Sequence, residues 1–337
     1  MNLEHIKLVD EILEGLRLES SVFSRMTLFG DWGFAKDALN GAPFHLVLEG
    51  EAWLSASGSG EPVRMTAGDI AILPLGEPHR LLSRPDAPAV PWMQVADSMG
   101  WTHWKPGMRF KALDLQLGFG STSSTLISGV FAFGDHRRNP FFKALPSVLV
   151  LRSGDDSEAA RTAAAIIPLL DGELLSGKPG AETVGIRLAD ILFIQVIRHH
   201  LSSTEALPQG WLRGMTDAEI APALSLMQRF PERDWSVGKL ARELAMSRSR
   251  FAARFNEVVG HAPLEFLTDL RMHRAAQSLA DEKVGLATLA ESVGYSSQES
   301  FSRAFKRWSG TSPAMYRRHH GKHRLAASSS DEGTAAS

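Results

Sequence analysis

The sequence predicts an α+β protein built from an N-terminal antiparallel β-barrel or sandwich, a helical linker and an all-α C-terminal domain with two helix-turn-helix units. Three observations predict this class. The first part of the chain alternates short apolar runs with Gly, Pro, Asn and Asp, which is typical of antiparallel strands. Two long helical patterns follow. The last third contains an internal repeat, and a repeat of this kind defines the architecture of its segment.

The strand-rich region is expected to follow an amphipathic helix that ends near Leu18. Within this region the apolar runs Phe44–Leu48 and Ile70–Leu73 each end at turn residues. Asn40-Gly41 is a favourable hairpin turn because both residues tolerate a positive φ. Closely spaced short strands of this kind form a sandwich or a barrel.

Two helices are predicted between residues 151 and 210. The first covers Ala159 to Leu175 with a bend near Pro168, and the second covers Ala181 to His200. Apolar residues occupy a wide arc of the second helix, so it must be buried against another surface. We expect this surface to be a second copy of the chain; packing on the β-rich domain is the alternative.

The C-terminal repeat has the form of a helix, a tight turn and a second helix. Leu240-Ala241 recurs as Leu289-Ala290 with an offset of 49 residues, and Phe251 recurs as Phe301 with an offset of 50. The change of one residue falls in the turn. Paired units of this form place their second helices in the DNA major groove. The other matched pairs are Leu244 and Val293, Ser247 and Ser296, Phe255 and Phe305, Gly260 and Gly310, Pro263 and Pro313, and Phe266 and Tyr316.

Charge is distributed unevenly along the chain, whose net charge over 337 residues is −2. Residues 212–325 contain 18 Lys and Arg against 12 Asp and Glu, whereas residues 1–211 contain 18 against 24. An acidic front half joined to a basic back half indicates a sensor attached to a DNA binder. We therefore predict domains at residues 1–150, 151–210 and 211–322, and a disordered tail at residues 323–337.

Composition and motifs exclude several function classes. The chain has no cysteine, which excludes disulfides, thiolate metal sites and thiol nucleophiles. It shows no signal-peptide pattern and no apolar run of membrane-spanning length, so we expect a cytoplasmic protein with no membrane partner. The sequence motifs of phosphate-binding loops, serine hydrolases and zinc proteases do not occur in it.

The second copy of the repeat carries a family signature. It reads Val-Gly-Tyr-Ser-Ser-Gln-Glu-Ser-Phe-Ser-Arg-Ala-Phe-Lys-Arg from Val293 to Arg307, and it closes with Gly310-Thr311-Ser312-Pro313. This stretch resembles the DNA-binding domain of the AraC/XylS family of bacterial transcription regulators. The resemblance extends from Thr216 to His320.

The β-rich region carries a second signature. Gly68 to His79 has the spacing Gly, five residues, Pro, one residue, Gly, two residues, His, which resembles the second cupin motif. Phe44 to Gly50 resembles a degraded first motif. Together they resemble the cupin-type sensor domain that precedes this DNA-binding domain. Many relatives have Cys-Gly where this chain has Ser128-Gly129, so a thiol-based switch is not available here.

The resemblance implies which side chains contact DNA. Base contacts are expected from six positions on the second helices of the two units: Ser249, Ala252, Ala253, Gln298, Glu299 and Arg303. Alanine methyl groups suit thymine, Arg suits guanine, Gln suits adenine and Glu suits cytosine. The alternative is that these are merely solvated helix faces. Phosphate contacts, which set affinity and its salt dependence, are expected from Arg248, Arg250, Lys306, Arg307, Arg317 and Arg318.

A divalent metal is the one cofactor that the sequence suggests. His45, Glu49 and His79 stand where cupin ligands would, and two His with one carboxylate suit iron or a similar metal. Pro43 occupies a usual ligand position, so we expect little bound metal. We favour a cupin fold that retains these residues for turns and packing, and a three-ligand metal site is the alternative.

These observations together indicate a cytoplasmic, dimeric, sequence-specific DNA-binding transcription regulator without enzymatic activity. The resemblance implies three partners besides a second copy: double-stranded DNA, RNA polymerase and a small-molecule effector. Two alternatives stay open. One is a metal-dependent cupin enzyme fused to a DNA-binding domain. The other is a regulator without an effector, in which the cupin domain is only a dimer scaffold.

Overall fold

A computed structural model of the chain describes residues 19–39, 41–57, 60–98, 113–120, 123–132, 140–203, 210–280 and 284–318. These residues form two compact units. The sandwich unit contains residues 19–132 and 145–203, and the helical unit contains residues 140–144 and 210–318. The two helices predicted as a separate linker therefore belong to the sandwich unit.

The sandwich unit is built from two β-sheets. Along the described chain the strands are β1 Glu19–Phe29, β2 Gly33–Lys36, β3 Ala42–Glu49, β4 Glu51–Ala56, β5 Val63–Thr66, β6 Ile70–Ile72, β7 His79–Leu82, β8 Val90–Pro91, β9 Leu113–Gly118, β10 Ser123–Ala132 and β11 Leu149–Leu151. Sheet A has the strand order β11-β6-β3-β10-β1-β9, and sheet B has the order β5-β4-β7-β2-β8.

Most neighbouring strands pair antiparallel, and the predicted sandwich is confirmed. The expectation of a wholly antiparallel fold is wrong at two edges, where β9 runs parallel to β1 and β8 runs parallel to β2. Parallel neighbours need a long crossover connection. Both pairs join strands that are far apart in the sequence, so no local turn signal marks them.

Inward-facing residues of both sheets form the core of the sandwich unit. Burying each large apolar side chain contributes about 1.5–3 kcal/mol. A register slip of one residue would turn a strand's apolar set to the wrong face, so this core also fixes the register. Its members include Met26, Leu28, Phe34, Val47, Leu54, Met65, Leu81 and Leu126.

Helices occupy both units of the described chain. They are α1 Trp92–Ser98, α2 Pro140–Lys143, α3 Glu158–Ser176, α4 Ala181–Ser203, α5 Trp211–Thr216, α6 Ala221–Arg229, α7 Val237–Glu243, α8 Arg248–Val259, α9 Pro263–Ala280, α10 Leu286–Ser292, α11 Gln298–Ser309 and α12, which covers residues 313–318. The sandwich unit contains α1, α3 and α4, and the helical unit contains the others.

The two helices predicted after the strands are confirmed as α3 and α4. The Ser157 side chain accepts a hydrogen bond from the Ala160 N–H and so caps the start of α3. Pro168 lies inside this helix, as expected. On α4, the ring of Phe193 lies 4.9 Å from the ring of Phe131 in β10. One face of α4 therefore packs on sheet A.

Each helix-turn-helix unit has its own small aromatic core. Phe251 and Phe255 are fully buried in the first unit, and Phe301 and Phe305 are fully buried in the second. The aromatic pair recurs at helical spacing in both copies, which places the rings on one face of each second helix. No helix in the described part of the chain is long and apolar enough to span a membrane.

Candidate functional site

The first helix-turn-helix unit joins α7 to α8 through a tight turn. Ala245 has a φ of 52° in this turn, and the N–H of Met246 donates to the carbonyl of Ala241 at 2.8 Å. The hydroxyl of Ser247 accepts a hydrogen bond from the N–H of Arg250 at 3.3 Å. This bond satisfies one of the free N–H groups at the start of α8. Ser247 is therefore the N-cap of α8.

The second unit repeats this geometry between α10 and α11. Gly294 occupies the turn with a φ of 81°, and the hydroxyl of Ser297 accepts from the N–H of Ser300 at 3.1 Å. The sequence repeat aligns Ser296 with Ser247, but the structure places the cap one residue later. The second turn therefore contains one residue more before its cap, which accounts for the change in offset.

The exposed surface of α8 consists mainly of small side chains. Ser249 and Ala253 are exposed and Ala252 is half-buried, on the side away from the buried Phe251 and Phe255. Small side chains allow a helix backbone to approach a base edge closely. This face can offer methyl contacts to thymine but few hydrogen bonds.

The exposed surface of α11 is polar and charged. Gln298, Glu299 and Arg303 are exposed, while Phe301 and Phe305 hold the opposite face in the core. None of the three polar side chains forms a hydrogen bond or an ion pair with another described residue. Their donors and acceptors are therefore available to an external partner.

Four of the predicted phosphate-binding side chains are exposed and form no ion pair with the residues that the structure describes. Arg248 lies at the start of α8, Lys306 and Arg307 lie in the last turns of α11, and Arg318 ends α12. The Lys306 side chain forms no hydrogen bond or ion pair in the described part of the chain. The guanidinium of Arg318 lies 3.1 Å from the sulfur of Met315, a weak acceptor that a phosphate can replace.

The other two predicted phosphate contacts have partners within the chain. Arg250 forms an exposed ion pair with Glu219, which contributes at most about 1 kcal/mol and can be exchanged for a phosphate. Arg317 instead donates to the carbonyl of Val284 at 2.6 Å, and its Nε atom is buried. Because its guanidinium is hydrogen-bonded to this backbone carbonyl, Arg317 holds α12 beside the start of α10.

Arg271 on α9 links the two helix-turn-helix units. Its guanidinium donates to the carbonyls of Pro231 and Arg233, each at 2.7 Å, in the segment that leads into α7. It also lies 5.9 Å from the ring centroid of Tyr295 in the second turn. Sequence reasoning missed this residue, because no motif distinguishes it from the other basic residues of the domain.

A chain of hydrogen bonds crosses the interior of the sandwich unit. The Nε2 atoms of His45 in sheet A and His79 in sheet B lie 2.9 Å apart. The Nδ1 atom of His79 lies 3.0 Å from the carbonyl of Glu77, and the Nδ1 atom of His45 lies 2.8 Å from the hydroxyl of Ser128. Both rings are buried, so they form a polar bridge between the sheets.

The carbonyl at one end fixes the direction of every bond in this chain. A carbonyl only accepts, so His79 donates from Nδ1 and, as a neutral ring, accepts at Nε2. His45 then donates from Nε2 and accepts at Nδ1 from the hydroxyl of Ser128. All four ring nitrogens are therefore engaged in hydrogen bonds.

Burial and a nearby cation keep both imidazoles neutral. Burial lowers the pKa of His45 well below 6.5, and the charges of Lys36 and His79 lower it further. Burial lowers the pKa of His79 to about 4, with a further lowering by Lys36. The pKa of Lys36 is itself lowered by burial to about 8. At neutral pH the two rings are uncharged and Lys36 carries a positive charge.

The predicted metal ligands do not come together as a set of three. The register of β3 on β10 shifts between Val47, opposite Leu126, and Glu49, opposite Thr125. This shift turns Glu49 to the opposite face from His45, so Glu49 is exposed while His45 is buried. Among the described residues no group of three His, Cys, Asp or Glu could hold a metal ion.

Comparisons with known proteins identify both domains. A cupin family matches residues 8–202 and a helix-turn-helix domain family matches residues 240–319. A Streptomyces lividans protein named as an AraC-like transcription regulator is 32% identical over 92% of this chain and 98% of its own length. The HTH-type transcriptional regulator AlkR of Acinetobacter baylyi is 30% identical with the same coverage. Among solved structures, the DNA-binding domain of AdpA in complex with a target DNA covers 32% of this chain and 98% of that chain, with 28% identity and a TM-score of 0.31.

The fold and the exposed helices define a transcription regulator with a cupin-type N-terminal domain and a helix-turn-helix DNA-binding domain. The chain belongs to the AraC-like family of transcription regulators. The resemblance of the second repeat to this family and the resemblance of the β-rich region to a cupin domain are both confirmed.

Proposed function

We propose that the chain is a cytoplasmic homodimer that binds operator DNA through α8 and α11. It acts on RNA polymerase and responds to a small effector held in the sandwich unit. It has no enzymatic activity. The observation that carries this proposal is the exposed face of α11. It presents Gln298, Glu299 and Arg303 on a capped helix, and their side chains have no partner among the described residues. Such a face, supported by a buried aromatic core, suits insertion into a major groove.

The two recognition helices are chemically unlike, so the two DNA segments should be unlike as well. On α11, Arg303 can donate to guanine O6 and N7, Gln298 suits adenine, and Glu299 can accept from cytosine N4. On α8, the side chains offer one hydroxyl and two methyl groups from Ser249, Ala252 and Ala253. The α11 segment therefore carries most of the hydrogen-bond specificity.

Phosphate contacts are assigned to the exposed basic residues that flank the recognition helices. These residues set affinity and register but read no sequence. Arg250 joins them by exchanging its ion pair with Glu219 for a phosphate, whereas we give Arg317 a structural role. The assigned set is Arg248, Arg250, Lys306, Arg307 and Arg318.

Replacing Arg303 by alanine is expected to lower affinity for the cognate site by about 1–3 kcal/mol and to relax the preference at one guanine. The physical reason is the loss of a bidentate contact to one base pair. Fluorescence anisotropy on the cognate duplex and on duplexes changed at single positions measures both effects.

Lys306→Ala is the matched control for Arg303→Ala. Lys306 is exposed on the same helix, and its side chain also has no partner within the described ranges of the chain. Its loss should weaken binding to all sequences about equally and reduce the salt slope by about 1. If Arg303→Ala weakens every sequence equally, Arg303 contacts the backbone and the base assignment is wrong.

We propose that the exposed apolar face of α3 and α4 forms the homodimer contact. The exposed apolar residues of these two helices are Leu169, Leu175, Val184 and Ile191, which are 59, 52, 45 and 40% exposed. Val184 and Ile191 lie two turns apart on α4, so they share one stripe. A stripe of this kind on a helix already packed on its other face is typical of a protein interface.

Ile191→Glu is expected to convert the dimer to a monomer, because it places a charge in the apolar contact. Sedimentation analysis of the full-length protein measures its oligomeric state. Val90→Glu provides the control, since Val90 is 46% exposed on an edge strand of the same unit. An Ile191→Glu protein that stays dimeric at the same concentration would place the interface elsewhere.

Sequencing the chromosomal DNA bound by the purified protein tests the proposed function as a whole. We expect fragments that share one motif and lie upstream of genes whose transcription the protein alters in vitro. Bound fragments that match the input DNA would contradict operator binding. Near-stoichiometric iron together with oxygen consumption by the purified protein would contradict the absence of enzymatic activity.

A further inference from the structure

The short helix α2 belongs to one unit by its packing and lies among the strands of the other in the sequence. It covers Pro140–Lys143, between strands β10 and β11 of sheet A, yet it is part of the helical unit. The chain re-enters the sandwich unit at Leu145. A helix of four residues does not persist without support, because helix nucleation is costly. Packing within the helical unit must therefore hold α2 in place.

Two adjacent aromatic side chains of α2 are buried. Phe141 is 2% exposed and Phe142 is fully buried. Adjacent side chains point about 100° apart around a helix, so α2 is enclosed on more than one side. The ring of Phe141 meets the indole of Trp211, the first residue of α5, edge to face at a centroid distance of 5.7 Å. Trp211 is itself buried, and this contact seats α2 on the start of α5.

The last residue of α2 lies near the connecting helix α9. Lys143 is exposed, and Asp269 on α9 is half-buried. Burial raises the pKa of the Asp269 carboxyl, and the nearby charge of Lys143 opposes this rise. Helix α2 therefore approaches α9 as well as α5.

Helix α5 is joined to the recognition helix α8 at both ends. At its start, the N–H of Gly210 donates to the carbonyl of Val258 at 2.9 Å. At its end, the carboxylate of Asp217 lies 2.6 Å from the guanidinium of Arg254. These two contacts hold α5 against α8.

The middle of α5 packs so closely that no atom can be added there. A Cβ atom at Gly214 would lie 2.8 Å from Cγ2 of Val259 in α8 and 2.7 Å from Cδ1 of Leu224 in α6. Elements packed at this density transmit displacements to one another, so a shift of α5 moves α8. The core around α11, by contrast, is built from α9 and the elements that follow it.

We propose that α2 positions the recognition helix α8 for DNA, with Phe141 acting through Trp211 and α5. Phe141 touches no base in this arrangement and is a positioning residue. The DNA-reading part of the protein then includes a segment that the chain supplies from between two sandwich strands. This inference rests on the proposed reading of DNA by α8.

Binding of the full-length Phe141→Ala protein to the cognate duplex and to duplexes changed at single positions tests this inference. In the wild-type protein, single base changes in either segment should lower affinity by about 5-fold or more. In Phe141→Ala, changes in the α8 segment should cost less than about 2-fold, because α8 is no longer held in register. Changes in the α11 segment should keep their full cost. Phe141→Leu, which refills most of the lost volume, should restore most of the discrimination.

Hydrogen exchange of the same proteins without DNA locates the change. Peptides that cover α5 and α8 should lose protection in Phe141→Ala, and peptides that cover α10 and α11 should keep it. Phe44→Ala is the matched control, because Phe44 is also 2% exposed but lies on β3 of the sandwich unit. It should leave the discrimination at both DNA segments unchanged.

Three results would overturn the inference. They are unchanged discrimination in Phe141→Ala, an equal loss of discrimination at both segments, and a loss of exchange protection throughout both units. The last two would show that Phe141 only stabilises the fold in general. A wild-type protein that ignores base changes in both segments would instead contradict the proposed function, and that result requires no variant.

Discussion

Inserting about 5 bp between the two segments of one bound site is expected to lower affinity for that site by at least about 100-fold. The connecting helix α9 has 18 residues, and at about 1.5 Å per residue it is about 27 Å long. With its flanking turns it can hold α8 and α11 about one DNA turn, ~34 Å, apart on one face. Half a turn of added DNA moves one segment to the opposite face, so only one recognition helix can then bind.

The stiffness of the connection makes this effect large. Leu267 and Leu279 of α9 are buried, and Arg271 joins the lead-in to the first unit with the turn of the second. The second unit therefore cannot follow a displaced segment. Adding about 10 bp returns both segments to one face of the DNA but leaves them too far apart, so affinity should fall by a similar factor. Anisotropy titrations on the original duplex and on the two duplexes with insertions measure these affinities. Unchanged affinity after the shorter insertion would mean that one unit alone reads DNA.

Gly294→Ala is expected to destabilise the second helix-turn-helix unit by about 2–4 kcal/mol and to remove most of the affinity for the composite site. Gly294 has a φ of 81°, which is unfavourable for a residue with a Cβ atom. An added Cβ would lie 2.7 Å from the carbonyl oxygen of Glu232 and 2.7 Å from the guanidinium of Arg271. A backbone oxygen cannot move aside cheaply, so the turn must shift and carry α11 with it.

Hydrogen exchange of peptides that cover α10 and α11 measures this local loss of stability. Ala245→Gly is the matched control, because Ala245 occupies the equivalent turn of the first unit with a φ of 52°. That change relieves about 1–2 kcal/mol of left-handed strain at an entropic cost of about 0.5–1 kcal/mol. It should therefore be neutral to stabilising. Normal protection of α11 in Gly294→Ala would show that the second turn tolerates a side chain.

Local patterns were sufficient to predict the elements that carry the DNA interface. The Ser247 cap, the paired aromatics Phe251 and Phe255, and their copies in the second unit follow from helical spacing and capping preferences over a few residues. The exposed face of each recognition helix then follows from the buried one. The same reasoning placed Gln298 and Arg303 correctly among the exposed residues.

Contacts between distant segments could not be predicted in this way. Arg271 and Arg317 look like other basic residues of the domain, but each guanidinium donates to a backbone carbonyl more than 30 positions away. The parallel edge strands β8 and β9 likewise depend on long crossovers. A register shift on β3 separates Glu49 from His45, although their even spacing suggests one face.

In vitro selection from a random duplex library with the full-length protein tests most directly the claim that both units of one chain read one face of DNA. We expect enriched sequences with two unlike segments whose centres lie about 10 bp apart. The segment that depends on Arg303 should contain the more strongly selected guanine, and a dimer should select two copies of this asymmetric site. Enrichment of a single segment, of two identical segments within one site, or of no sequence above the starting library would contradict the claim.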